Sequence, residues 1–241
     1  ADEHGSRLAA IVIEPARYAF PTSEYLARVT ATARRVGAVA VFDEITSGFR
    51  VAVGGAHLRT GIAPDVAVFA KGMSNGYPMA AVVGTRAVMD AVGQTFISTT
   101  YWTERIGPVA ALATIAKLAE HDVPAHLAAM GDRMRTGWER LAAQHDLRIA
   151  TRGIAPLPSF AFQYGDEAAI RTLYTQCMLD AGFLAGPAFY PSFAHRAGHV
   201  DAALDATDRA FLTLREAIDQ GTVRQRLRGP VAFAGLRGPQ S

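Results

Sequence analysis

Two ionisable side chains in this sequence, Asp43 and Lys71, each stand at the end of a short apolar run. Asp43 closes the run 39–42 and is followed by Glu44, whereas Lys71 follows the run 66–70 and precedes a glycine-rich segment. A lysine is seldom placed beside a buried strand unless it is paired or used chemically. A desolvated lysine amine at such a position suits Schiff-base chemistry with a carbonyl compound.

Taken separately, each of these side chains has an ordinary structural explanation. Asp43 and Glu44 could cap a helix or form a surface pair at a strand end, and Lys71 could emerge into solvent there. Taken together, a carboxylate and a lysine at strand ends match the arrangement that pyridoxal phosphate enzymes use. Lys71 would then hold the cofactor aldehyde as an imine, and Asp43 would keep the pyridine nitrogen protonated so that the ring withdraws electrons.

The elements that must position these residues alternate between apolar runs and amphipathic stretches. The sequence predicts strands over 8–13, 38–42, 66–69 and 79–83. The first run is continuously apolar, as expected for a strand that is buried on both faces of a sheet. A helix is predicted over 24–35, with Ser23 as its N-cap. This order of strands and helices indicates an α/β fold, in which the carboxyl ends of the strands open into the ligand crevice.

The second half of the chain has a different pattern. Helices are predicted over 103–120, 124–144, 166–180 and 200–218, and short strands over 159–163 and 183–185. We therefore divide the chain into an α/β part, residues 1–120, and a smaller α+β domain with a basic tail, residues 121–241.

The composition excludes several classes of protein. With 50% hydrophobic and 19% charged residues, the 241-residue chain is not disordered, and the single cysteine, Cys177, excludes a disulfide scaffold. The 24 basic and 22 acidic side chains give no sign of nucleic-acid binding. No apolar stretch approaches the roughly 20 residues of a membrane span, and the first residues do not resemble a signal peptide. The sequence therefore predicts a cytoplasmic protein that binds neither membrane nor nucleic acid.

Several groups of residues resemble the motifs of the class III aminotransferases, a family of fold-type I pyridoxal phosphate enzymes, and within it the branch of glutamate-1-semialdehyde 2,1-aminomutase. The motifs are Ile13-Glu14-Pro15, Asp43-Glu44-Ile45 with Gly48-Phe49-Arg50, Ala70-Lys71-Gly72 with Gly76-Tyr77-Pro78, and the tail segment 229–235. The resemblance implies that residues 1–120 are the C-terminal part of the large cofactor-binding domain. Residues 121–241 would be the small C-terminal domain.

The resemblance also implies roles for four residues and pyridoxal 5′-phosphate as the cofactor. Lys71 would be the Schiff-base lysine and the proton shuttle, and Asp43 would pair with the pyridinium nitrogen. Ile45 would pack on one face of the ring. Thr100, with Thr99 as the alternative one position away, would contact the cofactor phosphate of the neighbouring subunit in a homodimer.

One segment of the sequence departs from the family pattern, and one residue of a matching motif is expected to carry no chemistry. The family usually has Ser-Gly-Asn-Pro after the threonine, whereas this chain has Trp102-Thr103-Glu104-Arg105, which puts the choice of substrate in doubt. Glu14 matches the glutamate of the family's Glu-Pro turn, and we expect it to be structural.

In the family, the loop that binds the cofactor phosphate and the aromatic side chain that stacks on the ring lie upstream of the strand before Glu14. The sequence is therefore interpreted as the C-terminal portion of a longer enzyme, or as a chain whose N-terminal half is supplied by a companion. The expected function is transfer of an amino group between an amine or amino acid and a carbonyl acceptor. The alternatives are a 2,1-aminomutase and a truncated scaffold without catalysis.

Overall fold

The computed structural model of the chain describes residues 3–232. The chain divides into two compact units, Ala1–His126 and Leu127–Ser241. The sequence pattern places the boundary at residue 120, and the assignment of the two parts as family domains stays a prediction. Residues 233–241, which include the end of the tail motif and one arginine of the basic tail, Arg237, lie outside the described residues.

The first unit contains a four-stranded sheet in the order β1-β2-β3-β4. Its strands are β1 (Ala10–Ile13), β2 (Val39–Asp43), β3 (Val66–Phe69) and β4 (Ala81–Gly84). The first three are parallel, and β4 runs antiparallel to β3. Each predicted strand is present within three residues at either end, because each coincides with an apolar run. The α/β class is therefore confirmed for this unit.

β1 differs from its prediction as a strand that is buried on both faces. It forms the edge of the described sheet, and its residues alternate between exposed and half-buried positions. Val12 on this strand is 64% exposed. A continuous apolar run therefore marks the strand but does not by itself show that both faces are covered.

The helices of the first unit are α1 (Ser23–Arg35), α2 (His57–Thr60), α3 (Arg86–Met89) and α4 (Ile106–Glu120), with short 3₁₀ turns at Gly5–Arg7, Lys71–Met73 and Asp90–Gln94. The N-cap of α1 is Thr22 and not Ser23, so this prediction was wrong. The Thr22 hydroxyl accepts a hydrogen bond from the Tyr25 N–H at 3.1 Å. Ser23 is already helical, and its hydroxyl donates to the carbonyl oxygen of Thr60 at 3.2 Å.

The second unit contains most of α5 (Val123–Gln144), followed by β5 (Ile149–Arg152), β6 (Ser159–Phe162), α6 (Glu167–Asp180), α7 (Ala197–Asp219) and a 3₁₀ turn at Arg224–Arg226. β5 and β6 form an antiparallel pair. The strand predicted over 183–185 is wrong, because the N–H of Phe183 bonds to the Met178 carbonyl in the turn that ends α6. Among the described residues, a single bridge from Ser159 to Ala188 extends the pair.

The core of the second unit is aromatic. Phe160 packs edge-to-face against Trp138, Phe162 and Tyr174, with ring centroids 4.9 to 5.5 Å apart. Tyr174 is 1% exposed, and its hydroxyl pairs with that of Thr207 at 3.1 Å. Removal of the phenol from water by burial raises the pKa of Tyr174 to about 12. The polar end of this large side chain is thus satisfied inside an apolar core.

Candidate active site

Asp43 and Lys71 lie at the same edge of the sheet. Asp43 is the last residue of β2 and pairs in register with Val68 on the parallel strand β3. The next N–H, that of Glu44, bonds to the Val68 carbonyl at 2.9 Å. Lys71 begins the 3₁₀ turn that follows β3. Both side chains therefore belong to the carboxyl edge, where α/β sheets place their ligands.

Lys71 is held in an unusual backbone conformation, with φ at 49°. Non-glycine residues adopt this left-handed region only rarely. The Lys71 ammonium donates a hydrogen bond to the Thr46 hydroxyl at 3.0 Å. Lys71 is exposed, which differs from the desolvated amine that the sequence predicts, whereas Thr46 is only 6% exposed. The amine is thus fixed through a buried hydroxyl.

Sequence reasoning did not identify Thr46 as part of the site. Thr46 lies three positions after Asp43 and 25 positions before Lys71. The available signal was its place in the turn directly after β2, at the edge where the candidate site was expected. The contact itself depends on how that turn folds, which spacing alone does not give.

Asp43 is half-buried, and its Oδ1 accepts the Ile45 N–H at 3.0 Å. The described residues make no further hydrogen bond to this carboxylate. Its second oxygen can therefore accept a hydrogen bond from an N–H or O–H group of a ligand. Ile45 is also half-buried, so that it offers an apolar surface next to the carboxylate.

Glu44, the second carboxylate at this strand end, points into the protein and is 0% exposed. Its Oε2 accepts the Ser47 hydroxyl at 2.5 Å and the Ala56 N–H at 2.9 Å. Its Oε1 lies 3.0 Å from both the backbone N and the Nδ1 of His57. Burial raises the pKa of Glu44, but the hydrogen bonds from His57, Ser47 and Ala56 outweigh it, and the pKa lies below 4.5.

These contacts make Glu44 the anchor of the loop from β2 to α2. Gly55 is required beside it, because a Cβ there would overlap His57 Nδ1 and lie 2.7 Å from Glu44 Oε1. At the other end of the loop, a Cβ on Gly48 would lie 2.8 Å from the Phe69 ring. Close packing on Phe69 of β3 thus explains the glycine of the Gly-Phe-Arg motif after β2.

Thr100 lies in an exposed segment, and neither it nor Thr99 bonds to Lys71 or Asp43 within residues 3–232. The start of α4 is capped instead by Glu104, whose carboxylate accepts the N–H groups of Ile106 at 2.7 Å and Gly107 at 3.3 Å. The bond from Ile106 lowers the pKa of Glu104. The phosphate contact of Thr100 stays a prediction.

A family model for the class III aminotransferases matches residues 2–209. The chain belongs to this family. Its carboxyl-edge residues Asp43 and Lys71 lie within the matched segment, as do the turn after β2 and the segment that contains Thr100.

Curated relatives include both transaminases and aminomutases. The chain is 32% identical to 2′-deamino-2′-hydroxyneamine transaminase of Streptomyces kanamyceticus, over 85% of this chain and 52% of the relative. It is 30% identical to aminopentol aminotransferase of Sphingopyxis macrogoltabida, with 86% and 51% covered. It is 29% identical to glutamate-1-semialdehyde 2,1-aminomutase of Pyrobaculum arsenaticum, with 90% and 56% covered. This class III chain spans about half the length of the curated relatives it matches.

Solved structures show the same fold. The FumI protein of Sphingopyxis sp. MTA144, in its PLP internal aldimine form, has a TM-score of 0.84 at 27% identity, over 90% of this chain and 55% of that one. An omega-transaminase from Sphaerobacter thermophilus has a TM-score of 0.78 at 25% identity, with 89% and 54% covered. The class III chain therefore has part of the fold-type I transaminase fold.

Two features are absent from the described residues, a metal-binding cluster and a membrane-spanning helix. Residues 3–232 contain no group of three or more His, Cys, Asp or Glu side chains arranged to hold a metal ion. In the same part of the chain, no helix is long and apolar enough to cross a membrane.

Proposed function

We propose that this chain carries the lysine-bearing part of a pyridoxal phosphate-dependent aminotransferase, which moves an amino group between an amine or amino acid and a carbonyl acceptor. The observation that carries the proposal is the position of Asp43 and Lys71 at the carboxyl edge of two neighbouring parallel strands. The class III membership supports the reaction type.

The residues at this edge fit the ring and aldehyde of the cofactor. Lys71 offers a primary amine, and Asp43 offers a carboxylate oxygen that no described residue uses. Ile45 offers an apolar surface beside that carboxylate. When bound, pyridoxal phosphate supplies an aldehyde that condenses with amines and a ring that accepts an electron pair from the substrate carbon.

The roles of the protein groups follow from their chemistry. As a neutral amine, Lys71 would take a proton from the substrate carbon that bears the amino group and deliver it to the aldehyde carbon of the cofactor. Asp43 holds the proton on the ring nitrogen through a charge-assisted hydrogen bond. Ile45 packs on a ring face, and Thr100 donates its hydroxyl to the phosphate.

The proposed assembly is a cytoplasmic homodimer in which Thr100 serves the neighbouring subunit. The segment around it exposes large apolar side chains, with Phe96 at 96%, Tyr101 at 76% and Trp102 at 66%. Exposed patches of this kind mark interaction surfaces. A further polypeptide segment, on the same or a companion chain, would supply the remaining half of the site, in keeping with the half-length match to the relatives.

A 2,1-aminomutase is the second candidate function. Several relatives between 26% and 30% identical carry the name glutamate-1-semialdehyde 2,1-aminomutase. The same residues serve both reactions, and the outcome depends on whether the carbonyl compound leaves the site before the amino group is returned.

The test is sodium borohydride reduction of the isolated protein in the presence of pyridoxal phosphate, which fixes the cofactor on the lysine that carries it. Lys117 is the only other lysine in the chain. We expect one adduct by intact mass, located on Lys71 by peptide mapping and absent from Lys71→Ala. Lys117→Ala is the matched control and should keep the adduct.

An adduct on Lys117, or none on either lysine, would contradict the proposal and favour a scaffold without catalysis. A second chain in the same mass spectrum would identify a companion. Turnover of an amine donor with release of a carbonyl product would separate the aminotransferase from the aminomutase, which returns an isomer of its substrate.

A further inference from the structure

The contact between Lys71 and Thr46 joins an exposed amine to a buried hydroxyl. The donor–acceptor distance is 3.0 Å, and Thr46 is 6% exposed. A buried hydroxyl has few alternative rotamers, so its oxygen is a fixed point for the lysine chain. The left-handed backbone of Lys71, with φ at 49°, sets the direction in which this long side chain leaves the sheet edge.

The backbone around Thr46 is fixed by hydrogen bonds of its neighbours Glu44, Ser47 and Gly48. It lies inside the turn that is closed by the bond from the Gly48 N–H to the Glu44 carbonyl, at 2.7 Å. The neighbouring Ser47 hydroxyl bonds to the buried Glu44 carboxylate, which is tied in turn to Ala56 and His57. The backbone that carries the Thr46 hydroxyl therefore belongs to a hydrogen-bonded turn, and the hydroxyl itself is buried.

We propose that Thr46 is a positioning residue for Lys71, and that the buried Glu44 carboxylate fixes Thr46 for this purpose. A hydroxyl accepts a hydrogen bond from an ammonium group and donates one to a neutral amine. Thr46 can therefore hold the amine in both protonation states, whenever it is not bonded to a cofactor. The inference rests on the proposed function of Lys71 as the amine that moves the proton.

Holding the amine matters because proton transfer requires the donor and acceptor within hydrogen-bond reach at the moment of reaction. A lysine that is free in solvent samples many rotamers of its four-carbon chain. A fixed hydroxyl that already holds the lysine chain reduces the conformational entropy lost at the proton transfer. It does so without altering how a substrate binds. Loss of the hydroxyl should thus lower kcat more than it changes KM.

The experiment compares Thr46→Val, which keeps the shape and removes the hydroxyl, with Thr46→Ser, which keeps the hydroxyl. Both are made in the full enzyme that contains this chain. The circular dichroism spectrum of each variant is compared with that of wild type to show that it folds. Amine donors in the panel are L-alanine, L-glutamate and benzylamine. With the best of them we expect Thr46→Val to lose about tenfold in kcat with KM changed less than about twofold, and Thr46→Ser to stay within about threefold of wild type.

A second readout needs no cofactor and no turnover. The cofactor-free protein is treated with limiting trinitrobenzenesulfonate, and the modification of Lys71 is expressed relative to that of Lys117 by peptide mapping. Release of the amine from the hydroxyl should raise this ratio several-fold in Thr46→Val and leave it unchanged in Thr46→Ser.

Equal ratios in wild type and Thr46→Val would overturn the proposal, as would equal losses of kcat in the valine and serine variants, since the latter reports packing alone. Failure of the proposed function has a different signature. In that case the wild-type protein forms no borohydride adduct on Lys71, while the trinitrobenzenesulfonate ratio still reports on the contact with Thr46.

Discussion

His57 donates two hydrogen bonds to one oxygen of the buried Glu44 carboxylate, from its backbone N–H and from Nδ1, both at 3.0 Å. The two residues lie at opposite ends of the loop that leads from β2 to α2. Because Glu44 directly follows Asp43, this pairing fixes the backbone on which Asp43 and Thr46 are carried. The loop is thus ordered by the buried carboxylate of Glu44, which is not itself exposed to a ligand.

Replacement of Glu44 by glutamine should cost about 2 kcal/mol of stability near pH 7, because the amide nitrogen cannot accept the bonds that the carboxylate accepts. The pKa of Glu44 in the folded protein lies below its ordinary value of 4.5. Its contribution is therefore complete above pH 4.5 and is lost as the pH falls through the folded-state pKa. Urea unfolding between about pH 7 and 3 should show the difference from wild type shrinking at the acid end.

The matched control for this prediction is Glu120→Gln at the exposed end of α4. It should differ from wild type by less than about 0.5 kcal/mol throughout the pH series. A penalty for Glu44→Gln that stays constant down to the most acid pH would show that the charge of Glu44 is not what stabilises the loop.

The sheet of the first unit could be predicted from sequence because its strands coincide with apolar runs. β3 (Val66–Phe69) has the predicted bounds, and α1 begins one residue before its prediction. The cap was placed one residue too late, because Thr22 and Ser23 are both capping residues and composition does not choose between them. The strand predicted over 183–185 failed because the N–H groups of Phe183 and Ala185 bond within the turn after α6.

The candidate site was predictable only in part. Asp43 and Lys71 could be singled out because charges directly follow apolar strands, and the sheet brings those strand ends to one edge. The partner of Lys71, the Thr46 hydroxyl, lies in a turn whose first residue, Glu44, is held by long-range contacts to His57. Such contacts join residues more than ten positions apart, and no local periodicity encodes them.

Asp43→Asn should lower turnover at least about a hundredfold, because an amide cannot balance the charge of a protonated ring nitrogen as a carboxylate does. The borohydride adduct on Lys71 should persist, since the lysine is unchanged. Steady-state kinetics and intact mass of the same sample measure both effects. Asp43→Glu keeps the charge and should retain more activity than Asp43→Asn, and the reverse order would contradict the role of Asp43.

Gly55→Ala should destabilise the protein by about 2 to 3 kcal/mol, because its Cβ would overlap His57 Nδ1 and Glu44 Oε1. The matched control is Gly93→Ala, where an added Cβ meets nothing within 4 Å. The free energy of unfolding of that variant should lie within about 0.5 kcal/mol of the wild-type value. Urea unfolding at neutral pH measures both, and equal midpoints for the two variants would show that the loop tolerates the extra methyl group.

Tyr174→Phe should change the alkaline stability of the protein. The pKa of Tyr174 is raised from 10.0 to about 12 by burial in the aromatic core of the second unit. A folded-state pKa above the unfolded value means that the stabilisation is complete below pH 10 and is lost as the pH rises towards about 12. Wild type should therefore lose stability in this window faster than Tyr174→Phe.

The measurement is urea unfolding at a series of pH values from about 8 to 12, with Tyr25→Phe as the control, because Tyr25 is 54% exposed. The control should follow wild type, since an exposed phenol has nearly the same environment in the folded and unfolded chains. Tyr174→Phe should also cost about 1 kcal/mol below pH 10, because the bond to Thr207 at 3.1 Å is lost. Parallel pH profiles for all three proteins would mean that Tyr174 ionises without unfolding the core, and that its hydroxyl is less protected than its burial indicates.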